Sequence, residues 1–363
     1  MTSDPTRSFI KKMSVALAMI LASILNPPSA IAVNAATDTH AAPSSTVSPM
    51  RLEEIVVSGE QPGPGLWKVS KGDHVLWIVG TQAPVPKNMT WRAKGVTAVV
   101  AQAQEILAEP GASVTAKRIG YFTTLTLLPS LMDARKNPGG ATLKEVVPAE
   151  LYRRWEALRQ KYVGEYNSND EENDLDRWRP IFVALRLYSR AINATGLTST
   201  NPVWPAVVAA AGKHRVKITD VRFEPEIIEP RAAIREFSAS RLADIECFEK
   251  TIERIETDLV AMRARANAWA VGDIAALRKL PAIDQRAACE AALRAAPFMK
   301  MFGANDLLMQ IESVWLKAAE AALAKNTVTL AVLPIAQLVT PNGYLAKLRI
   351  KGYRVEEPDA TVD

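Results

Sequence analysis

Leu66–Pro84 reads LWKVSKGDHVLWIVGTQAP, and Thr327–Pro358 reads TVTLAVLPIAQLVTPNGYLAKLRIKGYRVEEP. The first stretch predicts a β-hairpin: one strand to about Ser70, a turn at Lys71-Gly72-Asp73, and a second strand over His74–Val79. The second opens on TVTLAVL, Thr327–Leu333, whose continuous apolar character predicts a buried strand. A loop over 334–341 follows, then a helix over Asn342–Lys351 stopped by Gly352, and a last strand over Tyr353–Glu356.

Working inward, Thr90–Gln104 predicts a helix with Val96, Val99 and Val100 on its apolar face. Glu105–Ala108 predicts a short buried strand, with Glu109 at its C-terminal end. The middle of the chain reads as helices over Pro148–Tyr162, Leu175–Thr195, Pro202–Lys213, Ala239–Ala270 (the longest periodic run) and Asp306–Lys325. Val216–Asp220 interrupts them as a strand. Gly272 ends the longest helix, and Asp273 is placed to cap the next. The predicted fold class is α/β (α+β). A small mixed sheet is built from N- and C-terminal strand–loop–helix–strand units around a large central helical region, and the two end units are similar enough to be distant versions of one another.

Working outward, residues 36–65 are rich in Ala, Ser, Thr, Pro and Gly and read as a flexible linker, with Arg51–Val57 as a candidate short strand or docking segment. Before them, Arg7, Lys11 and Lys12 precede the apolar run Met13–Leu25, which is shorter than the roughly 20 residues of a membrane span. Pro27 and Pro28 break the run, and small residues offer cleavage after Ala32 or Ala35. Residues 1–35 thus read as a secretory leader, with an uncleaved N-terminal anchor as the alternative. Cleavage implies a periplasmic or secreted protein with no stable transmembrane anchor. The domain is then 66–358, with a tail at 359–363.

The chain's net charge of +5 falls to about +3 without the leader, and no basic stripe with interleaved aromatics is present, so nucleic acid is not an expected partner. The two cysteines, Cys247 and Cys289, lie in helical stretches. An oxidising compartment favours pairing them, closing a loop of about 40 residues worth about 4 kcal/mol. The alternative is two buried free thiols. Gly-x-Ser-x-Gly, phosphate-loop and HExxH motifs are absent. The acidic run Asp170–Asp174 suits a helix N-terminus, with a calcium loop as the sharper reading. Trp155, Trp178, Trp204, Trp269 and Trp315 are predicted in helices as core or groove aromatics, with a carbohydrate platform as the alternative.

The opening and closing stretches together resemble the TraB/GumN family, the superfamily of Tiki-like metalloproteases. There a hairpin delivers Gly-Thr-x-His and a late strand delivers Gly-x-x-His-Leu. Ala268-Trp269-Ala270-Val271-Gly272-Asp273 resembles the family's mid-chain Ala-Trp-x-x-Gly-Asp. The resemblance spans about residues 66–358. It implies a cleft in which two histidines and a Glu at a strand end hold a divalent ion that activates water.

This chain departs from that pattern at the ligands. The first motif is Gly80-Thr81-Gln82-Ala83, so Ala83 stands at the histidine position. The second is Pro334-Ile335-Ala336-Gln337-Leu338, so Gln337 stands at the other. Glu109 matches the acid, and Ile311 falls where the family carries an arginine. Alanine has no ligating atom, and the Gln amide offers one weak neutral oxygen. No cofactor is expected. The three histidines, His40, His74 and His214, read as structural or exposed, with His74 the nearest to Gly80 in sequence. The leading expectation is a catalytically degenerate, metalloprotease-like scaffold that binds a peptide or an envelope component through a vestigial cleft at Gly80, Thr81, Gln82, Ala83 and Gln337. The alternatives are a hydrolase rearranged around Glu109, helped by Gln82, Gln337 and His74, and an envelope-associated factor with no small-molecule site.

Overall fold

The computed structural model describes residues 63–113, 120–164, 175–225, 229–280, 285–296 and 307–358. The leader, most of the linker with Arg51–Val57 and His40, the run Asp170–Asp174 and the tail lie outside them.

The predicted hairpin is present. β1 (Leu66–Lys71) and β2 (His74–Thr81) pair antiparallel, with Lys71 opposite His74. Gly72 supplies the positive φ, +63°, that the two-residue turn needs. After β3 (Val85–Pro86) comes α1 (Lys94–Gln102), which returns the chain to β4 (Glu105–Leu107). The helical region follows: α2 (Tyr121–Asp133), α3 (Leu143–Val146), α4 (Ala149–Tyr162) and α5 (Pro180–Ala194). Next are β5 (Leu197–Thr198), which pairs with β3, then α6 (Val203–His214) and β6 (Lys217–Thr219). The remaining helices of this region are α7 (Pro230–Ala239), α8 (Ile245–Thr257), α9 (Leu259–Ala270), α10 (Ile274–Lys279), α11 (Gln285–Arg294) and α12 (Leu307–Lys325). The chain closes with β7 (Val328–Pro334), α13 (Ile335–Val339), α14 (Tyr344–Ile350) and β8 (Arg354–Glu356).

The sheet is mixed and six-stranded, in the order β6-β4-β7-β2-β1-β8. β6, β4, β7 and β2 run parallel. β7 lies between β2 and β4, so the last long strand fills a gap left by the opening unit. Thr329 to Leu333 are all fully buried, which explains why this strand reads as a continuous apolar run rather than an alternating one. Helices cover the sheet, and Trp67, Trp269 and Trp315 are buried in this core. A second core lies among the helices, around Trp155, Ile181, Phe248 and Ile252.

Several predicted elements are divided or shifted, each for a tertiary reason. The helix expected over Ala239–Ala270 is divided: α7 ends at Ala239, and α8 and α9 follow as separate helices. One break falls before Asp244, whose carboxylate accepts from the Ile181 backbone N–H (2.9 Å) in the first turn of α5. The other falls at Asp258, whose carboxylate holds Arg265 (2.5 Å) and Arg254 (3.4 Å). Among the described residues the longest helix is therefore α12, with 19 residues. The helix expected from Leu175 starts at Pro180 instead. Arg179 before it is extended (ψ 146°), as a residue preceding proline prefers. Trp178 accordingly sits in a β-bridge with Lys136 rather than in a helix. The loop expected over 334–341 contains α13. Gly63 and Pro64, assigned to the linker from sequence, are buried. Gly272 (φ +73°) packs against the Gly63 carbonyl, where a Cβ would approach to 3.2 Å.

Cys247 on α8 and Cys289 on α11 form a disulfide, so the two helices are stapled. Arg179, also buried, donates to the carbonyls of Ala134, Phe237, Ser238 and Ser240 at 2.8–3.1 Å, gathering the C-terminal ends of α2 and α7. Replacing Arg179 with Met leaves these acceptors without a donor and should cost about 3 kcal/mol or more. Urea denaturation measures this, and a loss under 1 kcal/mol would contradict the assigned role. The double change Cys247→Ser, Cys289→Ser removes a cross-link spanning 42 residues and should cost about 4 kcal/mol in the same assay.

Candidate functional site

In the sheet, β4 and β7 are neighbours whose onward connections leave in opposite directions. From β4 the chain proceeds to the β6 edge; from β7 it proceeds to the β8 edge. At such a switch point the loops after the two strands part and leave a crevice beyond their carboxyl ends. The loop after β4 brings Glu109, Pro110 and Gly111 there; the turn into α13 brings Pro334 and Gln337. Thr81, opposite Pro334 in the parallel register, brings the end of β2 to the same edge.

Glu109 is the centre of the polar contacts. Its Oε2 accepts from the Thr81 hydroxyl (3.2 Å) and from the Asn201 side-chain amide (3.4 Å). Asn201 is itself fixed, because its Oδ1 accepts from the Val203 N–H (2.8 Å) at the start of α6. The Thr81 hydroxyl also lies 3.4 Å from the Leu333 carbonyl. One hydroxyl has one proton, so the two acceptors compete for it. Burial pushes the Glu109 carboxyl above the usual carboxylate range, while the Thr81 bond, the Arg286 guanidinium and the Asn201 bond pull it part of the way back.

Gly80 is required by close packing. A Cβ there would approach Ile335 Cδ1 to 2.5 Å and Leu338 Cδ1 to 3.2 Å, so the glycine lets α13 fold down on the end of β2. The Gly80 carbonyl accepts from the Trp269 indole N–H (2.8 Å), which gives the Ala-Trp-x-x-Gly-Asp stretch its place: it braces the end of β2 from behind. Asp273 caps α10 by accepting from the Ala276 N–H (2.8 Å), as predicted.

Beside Glu109 the crevice deepens into a cavity of about 220 Å³. Leu308, Ile311 and Glu312, one face of α12, form one wall. Arg286 and Glu290, one face of α11, form another, and Tyr344 closes it from α14. Arg286 Nε donates to Glu290 Oε1 (2.5 Å), and Glu312 pairs with Lys347. Burial pushes the Tyr344 phenol up, with Glu312 adding to the effect, so it stays protonated and able to donate.

Thr81, Glu109, Pro334 and Gln337 therefore lie at one strand edge. Gln82 is buried next to Thr81, whereas Ala83, two residues past β2, is exposed. His74 is not at the site. It occupies the other end of β2, roughly 20 Å away at about 3.3 Å per strand residue, and its Nδ1 lies 2.6 Å from the Leu323 carbonyl. The suggestion that His74 assists Glu109 is thus corrected. Asn201, Arg286 and Tyr344 were not anticipated. An Asn-Pro pair at the head of a predicted helix was a usable signal for Asn201; Arg286 and Tyr344 carry none.

The donor set does not suit the divalent ion that the family resemblance implies. Ala83 has no ligating atom, Gln337 has only an amide, and Glu109 already holds two donors. Glu290 and Glu312 are matched by cations of the chain itself. Among the described residues no group of three His, Cys, Asp or Glu side chains could hold a metal ion.

Fold and site define an α/β protein with a polar crevice at the carboxyl edge of its parallel strands. The chain belongs to the TraB/PrgY/gumN family, whose family model matches residues 65–357. No curated protein and no solved structure matches it.

Two outcomes follow from this geometry. Trp269→Phe keeps one aromatic ring but loses the bond to Gly80 and part of the buried indole, and should cost about 2–4 kcal/mol of unfolding free energy. The raised Glu109 carboxyl makes a pH-dependent contribution. Between the ordinary carboxylate value and its raised value the folded chain holds a proton that the unfolded chain has released, so stability falls as pH climbs through that interval. Glu109→Gln stays neutral and keeps an oxygen for Thr81 and Asn201. It should match the parent below the carboxylate range and gain on it as pH rises; parallel stability–pH curves would contradict the assignment.

Proposed function

We propose that this chain is an exported member of its family that binds rather than cleaves, using the crevice at the ends of β2, β4 and β7. The observation that carries the reading is the state of Glu109. Its carboxylate is engaged by Thr81 and Asn201, with Ala83 and Gln337 standing where the family places metal-binding histidines. The acid of the family's centre is retained, and here it is tied into the scaffold. Export is supported by the basic n-region and apolar run of the leader, and by the pairing of Cys247 with Cys289, which an oxidising compartment favours. Among the described residues no helix is long and apolar enough to cross a membrane. The domain that carries the binding site is 66–358, and its partner is a peptide or an envelope component.

One observation favours a second reading. A carboxyl raised by burial is the kind of group a general base at neutral pH uses, so Glu109 could serve a hydrolase that works without the family's ion. A peptide library incubated with the full chain and with manganese, cobalt or zinc separates the two. The binding reading expects no turnover with any ion and no tight metal uptake by calorimetry. Turnover that disappears in Glu109→Gln would establish the hydrolase.

A further inference from the structure

The cavity beside Glu109 has a charge balance that selects among ligands. It holds two carboxylates and one guanidinium, which suggests at first a site for cations. The pairings reverse that expectation. Glu290 accepts from Arg286 Nε at 2.5 Å and its side chain is only 12% exposed. Glu312 is paired with Lys347 of α14. Both acids are therefore satisfied by the chain's own cations. Arg286 is different. A guanidinium carries five donors, and the bond to Glu290 uses Nε alone. Its terminal nitrogens make no further hydrogen bond among the described residues, although its charge also acts on Glu109, and its side chain is 47% exposed.

Two further residues with donors line the same space. Tyr344 and Gln337 line the cavity, and neither the phenol of the one nor the side-chain amide of the other makes a hydrogen bond within the described residues. Leu308 and Ile311 of α12 and Pro110 after β4 add apolar surface to the lining. The lining of this cavity of about 220 Å³ thus combines a guanidinium, a phenol and a side-chain amide with the aliphatic residues Leu308, Ile311 and Pro110. Planar two-oxygen anions match a guanidinium fork, and a short hydrocarbon body matches the wall.

We propose that this cavity binds a compact amphipathic carboxylate, with Arg286 as its anchor, Tyr344 and Gln337 as supporting donors, and Leu308 and Ile311 as the seat of its apolar part. The inference rests on the reading of the crevice as a binding site and gives that site its ligand chemistry. Ile311, which stands where the family carries an arginine, now has a role: it supplies apolar wall, and the guanidinium comes from α11 instead. Glu290 acts as a brake, because it occupies part of the fork that a ligand carboxylate would use.

The test is a titration of the full chain with three probes of one shape, 4-methylpentanoate, 4-methylpentylamine and 4-methylpentanol, followed by saturation-transfer NMR. The carboxylate should bind saturably, with the amine and the alcohol at least about tenfold weaker, since a charge-assisted pair is what distinguishes them. Arg286→Gln should weaken carboxylate binding about tenfold or more. Glu290→Gln should strengthen it severalfold, an effect that general damage to the cavity does not produce. This second variant keeps the proposal testable even if Arg286→Gln folds poorly. Equal or tighter binding of the amine, absence of saturable carboxylate binding, or a carboxylate affinity that Glu290→Gln leaves unchanged or weakens would overturn it. Peptide turnover dependent on Glu109 would instead sink the non-cleaving reading, and is measured separately.

Discussion

The structure depends on the seating of β7 between β2 and β4. Residues Val75–Thr81 pair with Val328–Pro334, about 250 positions later in the chain, and Glu105–Leu107 pair with β7 on its other side. A buried strand must satisfy its N–H and C=O groups on both edges, so neither end of the domain forms a complete sheet alone. The entropy of closing such a long loop grows only logarithmically with its length, and full burial of Thr329 to Leu333 offsets it. The same seating makes the site. Thr81, Glu109 and Gln337 come from three distant stretches and become neighbours only because three parallel strands end at one edge.

That constraint explains what was legible in the sequence. The hairpin announced itself by its turn glycine, and β7 by an apolar run that only a strand covered on both faces needs. Glu109 could be placed at a strand end because the stretch before it, Ile106-Leu107-Ala108, is short and apolar. The breaks in the helical region could not be found the same way. Ala239–Ala270 carries a helical period throughout, and what divides it is the use of Asp244 on α5 and of Asp258 on two arginines. These are tertiary demands with no local signature. α13 is five residues long and too short to show a period. Arg286 and Tyr344 reached the site by packing alone.

The strand β4 shows how position sets the chemistry of like groups. Glu105 and Glu109 flank the same three residues. Burial raises both, but Glu105 accepts from Thr219 and from Asn326 (3.0 Å) and lies 3.6 Å from Lys217, and these together bring it below the usual range. Glu109 has two neutral donors at longer range and a more distant guanidinium, and burial prevails. One carboxylate is a fastening at the amino edge of the strand; the other, at the carboxyl edge, is held where its charge is costly. A group kept in such a place is a functional candidate on physical grounds.

Helix α11 joins this edge to the helical core. Gln285, Ala288, Cys289 and Ala292 form its buried face, fixed to α8 by the disulfide and by the Gln285–Thr251 bond (2.9 Å). Arg286 and Glu290 are on its other face, in the cavity wall. The acceptor of the site therefore comes from the sheet and the cation from the helical region. The sheet can change little without losing the seating of β7, whereas a helix docked on a separate core can present different residues to the same crevice. Glu109 at the strand edge and Arg286 on α11 are placed by these two regions separately, so the charge of the crevice is set partly by the sheet and partly by the helical region.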